Sequence, residues 1–277
     1  MTMLETTRRW RRKLTLGLGA TMDRPMKPAD PVSTNPTPDP SRPPQTARSQ
    51  EPTSHLEKEL TELKRRLVKE AVSAVGMLEA SIAALWLLDK NAASEIRKRD
   101  DSIDAEEVAI EERCLRLMAL HQPFARDFRI LAFILKVNAD VERVADHAAS
   151  IAKIVIRMKR VEPPEWPTPL LEMGQRVPMM CHSALRALLD ENAAAAKEVV
   201  AADKAIDGLD RQLFEETQEW MINHPDEPEV GLYFNRVGRE LERVGDLMGN
   251  IAEDIVYLAT GQIIRHQKRK SSAPKQP

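Results

Sequence analysis

From His55 onward the apolar residues recur every three or four positions, and no strand-like alternation competes with that period. Leu56, Leu60, Leu63, Leu67 and Ala71 open a first helix that the pattern carries to about Leu88. A second begins near Ala92, with Ile96, Ile103, Ile110, Cys114 and Leu117 on one face. It must end near Pro123, which has no amide hydrogen and biases Gln122 away from helix. A third runs from about Phe124 to Met158, with Leu131, Ile134, Val141, Ala145, Ala148, Ala152 and Val155 as its stripe. The Pro-rich stretch from Glu162 to Pro167 then breaks the chain. The same succession follows with helices from about Pro169 to Asp190, Asn192 to Ile222 and Glu227 to Thr260, and Pro178 should kink the first of these or delay its start.

The succession repeats because the chain is duplicated. Val141-Glu142-Arg143-Val144-Ala145-Asp146 returns one hundred positions later as Leu241-Glu242-Arg243-Val244-Gly245-Asp246. These patterns define an all-α fold of two tandem three-helix bundles, residues 55–160 and 161–262, since long helices joined by short turns pack as antiparallel neighbours.

Each copy carries a Glu and an Asp four apart, which projects both carboxylates from one helix face. Like charges at that spacing cost an isolated helix roughly 0.2–0.5 kcal/mol, so a repeated pair calls for a compensating cation. A second acidic pair precedes each, Asp100/Asp104 in the first copy and Asp203/Asp207 in the second. Residues equidistant from a turn lie level in an antiparallel hairpin. The pairings Asp104 with Glu142 and Asp100 with Asp146 are both centred on Pro123, and Asp207 with Glu242 and Asp203 with Asp246 are both centred between His224 and Pro225. Each hairpin therefore sets four carboxylates at one height: Asp100, Asp104, Glu142 and Asp146, then Asp203, Asp207, Glu242 and Asp246. An all-oxygen set suits Mg²⁺, Mn²⁺, Ca²⁺ or iron and does not choose among them. The competing interpretation is a solvated flank, with Arg143 and Arg243 as ion-pair partners. Glu107, Glu111 and Asp210 are expected at the surface, and His147 points about 100° away from Asp146, as a packed or surface residue.

Composition refines this picture. The chain is 42% hydrophobic but only 4% aromatic. Nine of its 19 prolines precede Ser54, so residues 1–54 are expected to be a disordered leader. Its first residues, a basic run followed by Leu14 to Ala20, have a faint likeness to a signal peptide but no clear cleavage site. The total charge of −2 conceals a net −11 over residues 55–262, because the leader carries nine Lys/Arg against five Asp/Glu and residues 263–277 carry five and none. An acidic body argues against nucleic acid as the main ligand, and the basic tail is read as flexible. No uncharged apolar run approaches the roughly 18 residues of a membrane span. Two cysteines, Cys114 and Cys181, form no metal or disulfide motif and are expected to be packing residues.

The repeated acidic pairs, with Pro123-Phe124-Ala125-Arg126-Asp127-Phe128-Arg129 and Asn250-Ile251-Ala252-Glu253, resemble the phosphate-specific transport system accessory proteins, the PhoU family. Phe128 stands where that turn has leucine, and the first copy reads Ser150-Ile151-Ala152-Lys153 in place of the Asn-Ile-Ala-Glu. The resemblance covers about residues 55–262. It implies a cytoplasmic, non-enzymatic negative regulator that couples a phosphate ABC transporter, through its ATPase, to a membrane sensor histidine kinase. It also implies a homodimer with a multinuclear metal cluster, iron favoured, on each acidic face. Two alternatives stay open: a carboxylate-bridged metalloenzyme and a metal-free helical adaptor. The first is disfavoured because no histidine here is preceded by the Glu-x-x that supplies nitrogen ligands in di-iron bundles.

Overall fold

The computed structural model describes residues 55–264; the expected leader, its signal-like start and most of the basic tail lie outside them. The described residues form α1 (His55–Leu87), α2 (Lys90–His121), α3 (Ala125–Arg157), α4 (Thr168–Leu189), α5 (Ala193–Asn223) and α6 (Pro228–Thr260), and no strand. Every helix falls within two residues of its expected bounds. Pro178 neither ends α4 nor delays its start, since the helix runs through it from Thr168.

Within each repeat all three helices touch one another, and the repeats meet through α3 against α6 and α1 against α4. The outer helices α2 and α5 contact only their own repeat. They accordingly bury a single stripe, Ala93, Ile96, Ile103, Ile110, Cys114 and Leu117 on α2, and Ala196, Val199, Ile206, Leu209, Leu213 and Thr217 on α5. Burial of α1, α3, α4 and α6 is broader, and one continuous apolar core joins both repeats. Near the junction Trp86 of α1 meets Trp166 edge-on at 5.2 Å, and Trp166 tilts against Phe234 of α6 at 5.6 Å. Gly174 of α4 admits the Trp86 ring: a Cβ there would lie 2.5 Å from Trp86 Cζ2.

By length and composition α1 is the one described helix that could cross a membrane, which the absence of long uncharged runs did not suggest; 56% of its most apolar window is buried in the bundle. Both cysteines are fully buried, and burial pushes each thiol up to about 12, so they pack as expected and are poor nucleophiles.

The duplication extends to the turns. Leu88 takes a left-handed φ of 49° and Asp89 then caps α2, its Oδ1 accepting from the Asn91 and Ala92 amides at 3.1 and 2.9 Å. Glu191 takes a φ of 45° and Asn192 caps α5, accepting from Ala194 and Ala195 at 3.0 and 3.1 Å. Such side-chain acceptors satisfy helix N-terminal amides that have no partner within the helix. Asp89 to Asn192 is the same 103-residue step that separates Asp100 from Asp203.

Candidate metal centres

All eight expected acids lie on the outer hairpins, four on α2 and α3 and four on α5 and α6. In the second repeat three of them converge: one carboxylate oxygen from each of Asp203, Asp207 and Asp246 lies within 4.8 Å of the others. Among the described residues no other three His, Cys, Asp or Glu side chains close so tightly. Oxygens on opposite sides of a six-coordinate Mg²⁺ or Ca²⁺ are about 4–5 Å apart, so this trio fits around one hard cation. Asp203 lies against α6: a Cβ on Gly245 would sit 3.4 Å from its Oδ1 and one on Gly249 3.8 Å from its Oδ2, ordinary contacts that alanine would also make. The first repeat has Ala145 and Ala149 at the matching places.

Glu242 stands just outside that trio. Burial raises its carboxyl above the ordinary range, and the Asp246 charge adds to the effect; Asp246 is itself raised by burial and by Asp207. Glu242 Oε2 is shielded from solvent and has no hydrogen-bond partner among the described residues, with the Arg239 and Arg243 guanidinium groups 3.7 and 3.8 Å from its carboxylate.

In the first repeat the four acids neighbour one another less tightly. Burial pushes Asp100 up to about 6, and the charges of Asp146 and Asp104 contribute. Glu142 is pushed up to about 7 by burial, then by Asp146 and Asp104. Asp100 Oδ1 is buried without a hydrogen-bond partner among the described residues. Arg143 pairs with Asp140 at 3.6 Å and offsets only part of the rise at Glu142. The charge of a cation placed among these acids would lower the raised carboxyls and meet the unpaired oxygens.

Two residues depart from expectation, and a third carried none. Glu107 and Asp210 are half-buried and not surface flanks, and each is felt by the Glu of its own hairpin, Glu142 or Glu242. Their signal was in the sequence: both lie three positions after the second acid of their α2 or α5 pair, related by the same 103-residue step. Asp210 is partly neutralised by Arg239 at 3.2 Å. The third is Glu70 on α1, 3% exposed amid the core, where burial followed by Glu106 and Glu107 pushes its carboxyl up to about 8. No acidic pattern marked it, since it sits singly inside an apolar stripe.

The chain is similar to known proteins over both repeats. The PhoU domain family matches residues 67–155 and again 170–255, one match per repeat and together well over half the chain. The chain belongs to the PhoU family. A PhoU homologue of Deinococcus radiodurans, named a phosphate-specific transport system accessory protein, is 34% identical over 201 residues, 71% of this chain and 94% of that one. Its Aquifex aeolicus counterpart is 34% identical over 216 residues, covering 78% and 97%. Among solved structures, PhoU from Pseudomonas aeruginosa superposes with a TM-score of 0.72 at 30% identity, over 75% of this chain and all of that one. The phosphate transport system regulatory protein PhoU from Streptococcus pneumoniae gives 0.70 at 31%, over 76% and 99%. These PhoU relatives are named as accessory and regulatory proteins, not enzymes, and this chain is a regulatory protein of the same kind.

Proposed function

We propose that this PhoU-family chain is a cytoplasmic negative regulator of phosphate uptake and of the phosphate-starvation response, acting as a homodimer. It relays the state of a phosphate ABC transporter, through the transporter's ATPase, to a membrane sensor histidine kinase. The family match over both repeats and the names of the relatives support the phosphate role. The transporter and kinase partners rest on resemblance to the family.

The observation that carries the site is the convergence of Asp203, Asp207 and Asp246, together with the related cluster of Asp100, Asp104, Glu142 and Asp146. In this reading each acidic face holds metal, iron or another hard cation, and the metal-loaded faces with the adjoining helix surfaces dock the partners. Cation binding would neutralise the like charges on a hairpin and stiffen it.

The test replaces Asp203, Asp207 and Asp246 with alanine in one variant, and Glu142 and Asp146 in another. Metal content of the purified proteins and expression of phosphate-starvation genes are then measured in cells carrying each. Loss of metal with derepression supports the reading. Full metal content with normal repression in both variants overturns it, and derepression with no metal in any form, wild type included, favours the metal-free adaptor.

A further inference from the structure

Both ends of the described chain meet at the turn between α2 and α3. The His55 ring, which opens α1, stacks on His121 at the end of α2 with centroids 5.9 Å apart. Arg129, in the first turns of α3, packs on Gly261 just past the end of α6. This turn therefore sits where α1 begins and α6 ends. Helices α3 and α6 run antiparallel, since His147 meets Glu240 and Lys136 meets Asp254, so the turn between α5 and α6 lies at the opposite end.

The α2–α3 turn leaves large apolar side chains in water. Leu120 and Phe124 are 71% and 85% exposed, and Phe128 and Ile263 are exposed beside them in sequence or across the Arg129–Gly261 contact. Phe124 is the N-cap of α3 and its side chain caps nothing, at a position where Ser, Thr, Asp or Asn would satisfy a free amide. Helix stability thus gives no reason for the ring. Exposed apolar groups gathered at one place mark a surface that something covers.

The charge at this end is positive. Residues 123–129 carry Arg126 and Arg129 against Asp127, and the nearby Glu59, Glu62 and Glu191 are paired with Arg113, Arg65 and Lys64. The sequence on either side of the described residues joins the bundle here. Residues 1–54 carry a net +4 and residues 263–277 a net +5, with Arg265, Lys268, Arg269 and Lys270 directly after Ile263-Ile264. The opposite turn is an internal comparison: it also exposes Ile222 and Leu232, but residues 223–235 hold Asp226, Glu227 and Glu229 and no Lys or Arg. Lys159 and Arg160 offset only two of those acids.

Two covers from the chain itself fit poorly. Residues 27–54, which lead into α1, contain Val32 as their only Val, Ile, Leu, Met or aromatic residue and have little apolar surface to offer. A second copy meeting tip to tip would bring two positive ends together.

We propose that this end of the bundle docks on an anionic lipid bilayer, with Leu120, Phe124, Phe128 and Ile263 entering the interface and the flanking basic residues meeting the headgroups. Apolar insertion and a basic cluster are two signals that together hold a protein on a membrane where either alone is weak. The net −11 of residues 55–262 is repelled by the same surface, so the bundle stands end-on. Asp146 lies 22 residues along from Phe124, about 30 Å up the helix, which keeps the acidic faces clear of the lipid.

The experiment sediments the full chain with phosphatidylcholine vesicles, with and without phosphatidylglycerol, at low and high salt. The wild type is expected to sediment with the phosphatidylglycerol vesicles at low salt, and Phe124→Gln with Phe128→Gln to weaken this about tenfold or more. Lys268→Gln, Arg269→Gln and Lys270→Gln together should weaken it to a similar degree, as should high salt. Ile222→Gln with Leu232→Gln, at the opposite end, should leave it unchanged. A second measurement does not depend on loss of binding: Phe124→Cys carries an environment-sensitive dye, since Cys114 and Cys181 are buried, and its emission should shift to the blue on anionic vesicles, whereas the same dye on Ile222→Cys should not respond. No sedimentation with anionic vesicles, or sedimentation indifferent to the phenylalanines, overturns the proposal. A blue shift at position 124 that grows with protein concentration in the absence of lipid overturns it as well, in favour of a second copy as the cover.

Discussion

His147 Nδ1 lies 2.6 Å from Glu240 Oε2, a hydrogen bond that joins α3 of the first repeat to α6 of the second. Both side chains are largely withdrawn from solvent, at 24% and 16% exposure, so neither can readily exchange its partner for water. Further along the same helix pair, Lys136 reaches the buried Asp254 at 3.1 Å. The inter-repeat seam is thus apolar at its centre, with polar links on its flank. His147→Ala is expected to cost about 1–2 kcal/mol, because Glu240 loses its partner. A double-mutant cycle with Glu240→Ala should return a coupling of about 1 kcal/mol. A coupling near zero in denaturant unfolding would mean the contact contributes nothing.

Metal removal should be visible in stability. A cation bound at one site and present at a hundred times its dissociation constant adds about 2.7 kcal/mol to the folded state. For a domain of this size that is a rise of roughly 5–10 °C in Tm. Thermal unfolding with Mn²⁺ and with excess chelator should differ by this amount in the wild type. In the variant with Asp203, Asp207 and Asp246 changed to alanine the difference should shrink, and an equal difference in both proteins would exclude that trio as the source.

The buried acids set a pH dependence of definite sign. Glu70, Glu142 and Asp100 are raised to about 8, 7 and 6 from ordinary values of 4.5, 4.5 and 3.8. The folded chain thus holds protons that the unfolded chain releases. Their contribution is fully present below the ordinary carboxylate values and is lost as pH rises through the raised ones. In chelator, Tm should fall between pH 5 and pH 8, and Glu70→Gln should flatten the upper part of that fall. A Tm that is flat or rising across the window in the wild type would contradict the assignment.

Arg129, from the turn sequence that begins at Pro123, closes the far end of the bundle. Its guanidinium lies 5.7 Å over the Tyr257 ring and packs on Gly261, the left-handed C-cap of α6 with a φ of 73°. A Cβ on Gly261 would sit 3.2 Å from Arg129 Nη1. Gly261→Ala should therefore cost about 1 kcal/mol from the backbone conformation alone, with some further loss if Arg129 is displaced. Chemical denaturation of the two proteins decides it, and an unchanged midpoint would show that this helix end frays freely.

The paired caps give a matched comparison. Asp89→Ala and Asn192→Ala should each cost about 1 kcal/mol, since each removes the acceptor for two amides at the start of an outer helix. Unequal losses in denaturant midpoints would show that one outer helix is held mainly by packing.

Much of the fold was legible in the sequence because helical order is local. A stripe such as Ile96, Ile103, Ile110, Cys114 and Leu117 needs only its own helix to be recognised, and proline at 123 or 225 disfavours helix through its own ring, although α4 runs through Pro178. The level placement of the eight acids followed from the same locality, since a short turn leaves an antiparallel hairpin little freedom of register. The duplication reinforced each inference by stating it twice.

Glu70 was not legible, because a lone acid in an apolar stripe reads as a solvated flank until the opposing helices are in place. Nor could spacing alone distinguish the two acidic faces. Asp203 lies against α6 beside Gly245 and Gly249, whose places in the first repeat are Ala145 and Ala149, and both glycines would admit a methyl group.

By itself the sequence determined the six helices, their turns, the duplication and the hairpins that carry the acids, since all of these follow from periodicity and chain stereochemistry over short spans. The tertiary structure alone decided which carboxylates converge, which lose water without gaining a partner, and how α3 meets α6. Those outcomes depend on distances between side chains far apart in the chain, and desolvation is a property of the whole packed bundle that no single segment carries.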